Sequence, residues 1–218
     1  MPAPLILASG STVRRRLLEN AGLDFRAVSA SVDEDALKAR CRTENRDIKE
    51  TALILAQAKA GEISAREPDA LVIGADQMLE LDGRWFDKPE SREQAADHLR
   101  QFSAKTHRLV TAAVAMRAGE RLWRRVDVAS MTVRPLGEPF IQAYLDAVGA
   151  DALASVGAYQ LEGRGAQLFE AVEGDFFTIL GLPLLALLDF LRQHAMIDDE
   201  RLPRRGALPA GIGDGLNR

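Results

Sequence analysis

Residues 5–16 read LILASGSTVRRR, and this stretch decides the fold of the N-terminal half. A four-residue apolar run ends in small polar residues, and Leu17 and Leu18 then continue a helical pattern. The stretch therefore predicts a β-strand, a short loop and an α-helix. Free backbone N–H groups at the start of such a helix favour an anion, and small side chains allow a phosphate to approach.

Arg14, Arg15 and Arg16 lie in the first turn of this predicted helix, where cations oppose the helix dipole. A bound polyanion would explain them, with Arg14 pointing inward and the other two on the surface. A solvated basic helix start is the alternative interpretation, and it stays open at this point.

The rest of the pattern predicts an α/β fold in which helices flank a mixed sheet. Both hairpin and crossover connections are expected, because an Asp-Gly pair at 82–83 separates two short strands while helices separate others. The further predicted elements are a helix over 47–66, a strand over 71–74, a helix after Ser91, two strands within 107–133, a helix over 140–148, and a strand followed by a helix in the apolar tract 176–188.

Composition limits the class of protein. The chain has 218 residues and a formal net charge of −4, which argues against non-specific nucleic-acid binding. The single cysteine, Cys41, cannot form an intrachain disulfide, and neither an export signal nor a membrane-spanning stretch is recognisable. We expect a cytoplasmic protein with one domain over residues 1–197, followed by a flexible tail over 198–218 that is rich in glycine and proline.

Asp76 is the first candidate for chemistry, because it follows the strand predicted over 71–74 and open α/β sheets bind ligands beyond strand ends. Its carboxylate could hold Mg²⁺, orient a water or deprotonate it, although a capping or turn role is the alternative. The acidic run VDED at 32–35 could supply a second metal ligand or could simply be solvated. Lys59 lies among small residues and could reach across a groove, although alone it is unremarkable. Lys88 follows the hairpin on a loop stiffened by Pro89, where a lysine is usually exposed and idle.

Together these segments resemble the Maf family of nucleotide pyrophosphatases. The resemblance extends to about residue 196 and rests on short motifs in the same order. These motifs are LASGSTVR at 7–14, VDE at 32–34, AKA at 58–60, IGAD at 73–76, KP at 88–89, LR at 99–100, TH at 106–107, GAY at 157–159, EG at 162–163, EG at 173–174 and LGLPL at 180–184.

The resemblance implies two lobes around a deep cleft, often in a homodimer, and hydrolysis of a nucleoside triphosphate to a monophosphate and pyrophosphate. It implies that Ser9 and Arg14 bind phosphates. Lys59 and Lys88 would add positive charge, and a divalent cation, Mg²⁺ or Mn²⁺, would be held by Asp76 and Glu34. Asp76 would also activate water, and Asp76, Glu34 and Lys88 form the implied catalytic set.

The sequence departs from the commonest Maf pattern at Thr12, Val13, Gln77 and Glu162, and these departures resemble the branch that acts on 7-methyl-GTP. A carboxylate at 162 can accept from N1–H and from the exocyclic amine of guanine, whereas an amide suits thymine or uracil. Val13, Gln77 and Glu162 are therefore candidate substrate contacts. A dTTP/UTP pyrophosphatase of the same family is the alternative, because Val13 replaces an aromatic residue common in the 7-methyl-GTP branch.

Two other classes of protein stay in view. A non-catalytic nucleotide-binding regulator of cell division would need the phosphate pocket without turnover, and retention of Asp76, Lys88, Glu34 and Lys59 favours the enzyme. A nucleic-acid-binding protein that uses the arginines at 14–16 is disfavoured by the acidic balance of the chain.

Overall fold

The computed structural model describes residues 3–194 and 196–197. The described chain forms one mixed sheet with helices on both faces, which confirms the predicted fold class. Its strands are β1 (Leu5–Leu7), β2 (Arg26–Ala27), β3 (Leu71–Leu81), β4 (Arg84–Phe86), β5 (Thr106–Arg117), β6 (Glu120–Val133) and β7 (Phe169–Glu173). Its helices are α1 (Thr12–Asn20), α2 (Glu34–Thr43), α3 (Ile48–Arg66), α4 (Arg92–Phe102), α5 (Glu138–Val148), α6 (Phe176–Ile179) and α7 (Leu184–Gln193).

The sheet order is β2-β1-β3-β5-β6-β7, and β4 pairs with β3. Strand β1 is parallel to both of its neighbours, whereas the other pairings are antiparallel. On the side of β3 away from β5, β1 pairs only as far as Ile73, and β4 begins to pair only at Leu79. The edge of β3 over residues 74–78 therefore lies open between two strands.

Three apolar clusters stabilise the sheet and divide it into two lobes. Helix α3 covers one face of the first lobe, while α1 and α7 cover the opposite face. The third cluster lies around α4 and α5 and includes the far ends of β3 and β5. Residues near the middle of β3 consequently lie where the two lobes meet.

Helix α3 packs unusually close to β3 at Gly74. A Cβ atom at this position would lie 2.3 Å from the carbonyl oxygen of Ala56 and 2.8 Å from the Cβ of Ala60. Only glycine allows this approach, since any larger residue would push the helix away. The contact brings Lys59, which precedes Ala60 on α3, next to Asp76, which lies two residues after Gly74 on β3.

The predicted end of the central strand was wrong. Strand β3 does not stop at Gly74 but continues to Leu81, so Asp76 lies inside a strand rather than beyond its end. Pairing with β5 from Val72 to Glu80 keeps the backbone extended, and Asp76 itself is opposite Ala112. The open edge of β3 gives Asp76 the access that a strand end would have given.

The predicted strand in the tract 176–188 was also wrong, because Phe176–Ile179 forms the helix α6. Asp175 caps this helix, with its Oδ1 accepting from the backbone N–H of Thr178 at 2.8 Å. Helix α2 is a third difference, because Glu34 in the acidic run at 32–35 is the first residue of a helix. The Oδ1 of Asp33 begins α2 by accepting from the N–H of Ala36 at 2.9 Å.

The other predicted elements are confirmed to within a few residues. The helix over 47–66 corresponds to α3, with Asp47 and Glu50 forming a capping box, and the Asp-Gly hairpin joins β3 to β4. The tail predicted over 198–218 lies outside the described residues. None of the helices in the described ranges is long and apolar enough to cross a membrane.

Candidate active site

A cleft of about 600 Å³ lies at the open edge of β3, and it collects most of the residues that the sequence singled out. We call Arg14, Glu34, Lys59, Asp76 and Lys88 the polar end of this cleft. Val13, Val156 and Leu180 form its apolar end. Gln77 also lines the cleft.

Lys59 joins two carboxylates at the polar end. Its Nζ donates to Asp76 Oδ1 at 2.6 Å and lies 2.9 Å from Glu34 Oε1. The Asp76 side chain is only 7% exposed, whereas that of Glu34 is 42% exposed. Two acids from different elements, β3 and α2, therefore converge on one cation, as they would on a divalent metal ion.

Burial dominates the titration of Asp76. Loss of solvent raises the pKa of this carboxyl above its ordinary value, and the nearby charge of Glu34 acts in the same direction. Lys59 and Arg14 oppose the shift without cancelling it. A carboxyl with a raised pKa is a better proton acceptor when ionised, which suits a group that activates water.

Arg14 points inward, as the sequence predicted, while Arg15 and Arg16 are exposed. Its Nε donates to the carbonyl of Gly181 at 2.7 Å, and its Nη1 donates to the carbonyl of Ala75 at 3.0 Å. The guanidinium thus fixes α1 to the open edge of β3 and to the link before α7. The Nη2 group carries two further N–H donors that an anion in the cleft could use.

Ser9 lies behind the cleft wall rather than in it. It is 8% exposed, and its Oγ accepts from the backbone N–H of Ser11 at 3.2 Å and from Nη1 of Arg14 at 3.3 Å. In this arrangement Ser9 orients Arg14, and direct phosphate binding by Ser9 stays a prediction. Ser11, which the sequence analysis did not single out, caps α1 and lines the cleft.

The amide of Gln77 is used mainly within the protein. Its Nε2 lies 3.0 Å from Thr111 Oγ1 and donates to the carbonyls of Thr178 and Ile179 at 3.1 and 2.9 Å. Gln77 therefore ties β3 to α6. A contact between Gln77 and the substrate stays a prediction, and it would be made by the side-chain oxygen Oε1.

Glu162 does not line the main cleft but lies beside its apolar end. A small side pocket of about 60 Å³ includes Val13, Val156, Leu180 and Glu162 among its lining residues. Glu162 itself is exposed. The structure thus brings Val13 and Glu162 together in a pocket whose lining includes neither Lys59 nor Asp76.

The sequence analysis missed Lys38 and Asp87. They line the polar side of the cleft, and Lys38 Nζ donates to Asp87 Oδ1 at 2.5 Å. Lys38 lies on α2, and Asp87 directly precedes Lys88. Lys38 and Asp87 are 49 positions apart in the chain. A long-range pair of this kind leaves no local signal, since each residue alone fits an ordinary solvated surface.

The charges in the cleft nearly cancel. The lining residues include four cations, Arg14, Lys38, Lys59 and Lys88, and five acids, Glu34, Asp35, Asp76, Asp87 and Glu90. A polyanion would meet no excess of positive charge here, so a divalent cation would favour its entry. Two converging carboxylate oxygens suit Mg²⁺ or Mn²⁺, which commonly take their other ligands from water and phosphate. No group of three or more His, Cys, Asp or Glu side chains in the described ranges forms a ready-made metal site.

The fold and the cleft define an α/β protein with an acidic pair and several cations at the open edge of a central strand. The family model described as "Maf-like protein" matches residues 4–194, and the chain belongs to the Maf family.

Similar proteins with assigned names cover nearly the same range. The chain is 55% identical to a nucleoside triphosphate pyrophosphatase of Paramagnetospirillum magneticum over 189 residues, which is 87% of this chain and 97% of the relative. It is 54% identical to a 7-methyl-GTP pyrophosphatase of Mesorhizobium japonicum over 198 residues, which is 91% of this chain and 100% of the relative. The chain is also 50% identical to a 7-methyl-GTP pyrophosphatase of Brucella suis over 198 residues, which is 91% of this chain and 100% of the relative.

Proposed function

We propose that this protein hydrolyses a nucleoside triphosphate at its α-phosphate and releases a monophosphate and pyrophosphate. The observation that carries the proposal is the buried Asp76 carboxylate, which Lys59 joins to Glu34 in a cleft shared with Arg14 and Lys88. The family match and the names of its relatives support the same reaction class.

The residues at the polar end divide the chemistry among them. Asp76 and Glu34 would hold a divalent cation such as Mg²⁺ or Mn²⁺, which when bound neutralises and polarises the phosphates. Asp76 orients the attacking water and accepts its proton, because its carboxylate is held by Lys59 in the cleft at the open edge of β3. Lys59, Lys88 and the Nη2 group of Arg14 stabilise the charge that develops on the phosphate oxygens and on the leaving pyrophosphate.

For the base, we propose a preference for 7-methyl-GTP or another modified nucleotide. Glu162 beside the apolar end offers two acceptor oxygens to the N1–H and amine edge of guanine, and a carboxylate also attracts the positive charge of a methylated base. Relatives at 54% and 50% identity carry the name 7-methyl-GTP pyrophosphatase. A dTTP/UTP pyrophosphatase is the second candidate within the family. The homodimer stays a prediction.

The decisive experiment uses purified protein, Mg²⁺ and a panel that contains 7-methyl-GTP, GTP, dTTP, UTP, CTP and ATP. We expect pyrophosphate rather than orthophosphate, and no reaction when a chelator removes the metal. Hydrolysis in ¹⁸O-water should place the label in the monophosphate, because the water attacks the α-phosphorus. Label in the pyrophosphate would contradict the proposed point of attack. Tight nucleotide binding without any turnover would instead support the nucleotide-binding regulator.

A further inference from the structure

Lys38 lies outside the family motifs described above, yet it lies in the same cleft. It is four residues after Glu34 on α2, a spacing that places two side chains on the same face of a helix. Its side chain is only 14% exposed, although most of α2 is exposed to solvent. The ammonium group therefore points toward the cleft and not into bulk water.

The surroundings keep Lys38 positively charged. Burial lowers the pKa of the ammonium, but the hydrogen bond and charge of Asp87 and the more distant charges of Asp76 and Glu34 raise it above its ordinary value. Lys38 thus belongs to the same electrostatic environment as Asp76 and Glu34. An ammonium has three N–H donors, and the bond to Asp87 uses one of them.

Asp87 differs from the acids at the polar end. Its side chain is 56% exposed and belongs to the loop that carries Lys88, so water can solvate it when it leaves Lys38 and little free energy is lost. A carboxylate oxygen 2.5 Å from an ammonium group also has the charge and hydrogen-bonding capacity of a phosphate oxygen. Asp87 thus accepts from Lys38 in the way that a phosphate oxygen could.

We propose that Lys38 is a substrate-binding residue for the polyphosphate, and that Asp87 competes with the polyphosphate for it. When the chain of phosphates enters the cleft, Lys38 exchanges the Asp87 carboxylate for a phosphate oxygen. Asp87 thereby weakens binding of the substrate and also of the pyrophosphate product. This inference rests on the proposed function, because it assumes that a polyphosphate occupies the cleft.

A double-mutant cycle with inorganic pyrophosphate as the probe tests the proposal. Its Kd is measured by calorimetry in Mg²⁺ for the native protein, Lys38→Met, Asp87→Asn and the double variant. Lys38→Met should weaken binding about tenfold, the loss expected for one charge-assisted hydrogen bond. Asp87→Asn should tighten binding about threefold in the native background, as expected for removing an exposed ion-pair partner.

The double variant separates competition from a general charge effect. If Asp87 acts through Lys38, Asp87→Asn should change the Kd less than about 1.5-fold once Lys38 is methionine, because only coupled residues show such non-additivity. Lys38→Arg should bind pyrophosphate within about threefold of the native protein, since the positive charge and N–H donors remain.

Lys105 and Asp82 provide a matched control pair. They form a similar ion pair at 2.9 Å, both side chains are at least half exposed, and neither lines the cleft. Lys105→Met and Asp82→Asn should leave the Kd unchanged, and thermal unfolding checks that all variants are folded.

Two results would overturn the inference. One is weaker pyrophosphate binding in Asp87→Asn, which would make the ion pair a structural support. The other is that Asp87→Asn tightens pyrophosphate binding equally in the native background and in the Lys38→Met background. The native protein is also assayed for triphosphate hydrolysis. If the protein hydrolyses triphosphates but gives either of those results, only the role of Lys38 is rejected. If the double-mutant cycle gives the expected Kd values but no triphosphate is hydrolysed, the proposed function is rejected.

Discussion

The two ends of the cleft are built in different ways. At the polar end, Asp76 and Lys59 are buried, hydrogen-bonded to each other and fixed by the close packing of α3 against β3. At the apolar end, Val13 and Leu180 are half-buried, and Glu162 is exposed on the far side of them. The groups proposed to react are thus fixed by the core, whereas the groups proposed to contact a base lie on a surface that can change without disturbing the core.

The largest effect is expected from a substitution at the polar end of the cleft. Asp76→Asn keeps the size of the side chain but removes the charge and the proton acceptor. The kcat should fall on the order of 1,000-fold, as for loss of a general base, while the Kd for a non-hydrolysable triphosphate changes much less. Rapid-quench kinetics and calorimetry measure the two quantities.

The matched control is Asp189→Asn, which changes an exposed aspartate on α7 outside the cleft. It should keep native activity. Asp76→Asn that retained more than a tenth of the native kcat would remove the assignment of Asp76 as the group that activates water.

The second largest effect is expected from removing the positive charge of Lys59 beside Asp76. Lys59→Met removes a cation that lowers the pKa of Asp76, so this pKa, already raised by burial, should rise further. In the proposed mechanism Asp76 works as the ionised form, and activity is lost as the pH falls through its pKa. The acid limb of kcat/KM should therefore move to higher pH, with a fall of about 100-fold at the optimum.

Lys49→Met changes an exposed lysine on the same helix and should leave both the optimum and the acid limb in place. An acid limb that stays unmoved in Lys59→Met would mean that a group other than Asp76 controls it.

The smallest effect concerns the apolar end. Glu162→Gln replaces a double acceptor by a group that both donates and accepts, so preference should shift from guanine toward uracil and thymine. We expect the ratio of kcat/KM for 7-methyl-GTP over UTP to fall about tenfold, with little change in thermal stability because Glu162 is exposed. Glu170→Gln on β7 is the control, and an unchanged ranking in Glu162→Gln would exclude Glu162 as the base contact.

Local patterns in the sequence were sufficient for much of the fold and for part of the site. The apolar run before Ser9, the helix-forming composition of residues 47–66 and the Asp-Gly turn are all local signals, and each predicted element is present. The inward direction of Arg14 was also predicted, from the anion expected at the start of α1.

Long-range contacts account for the rest. Strand β3 continues past Asp76 because β5 pairs with it, and the sequence near Asp76 does not encode that partner. Residues Phe176–Ile179 form a helix whose last carbonyls accept hydrogen bonds from Gln77, about a hundred positions earlier in the chain. The pairing of Lys38 with Asp87 depends in the same way on how two distant elements meet.

The close approach at Gly74 links hydrolysis to folding. Lys59 reaches Asp76 only when α3 is fully docked on β3, since the two residues belong to different elements and meet through that contact. A partly folded chain with an undocked α3 would carry every reactive side chain and still lack the pair. The time at which hydrolytic activity returns during refolding therefore reports when α3 docks on β3 at Gly74.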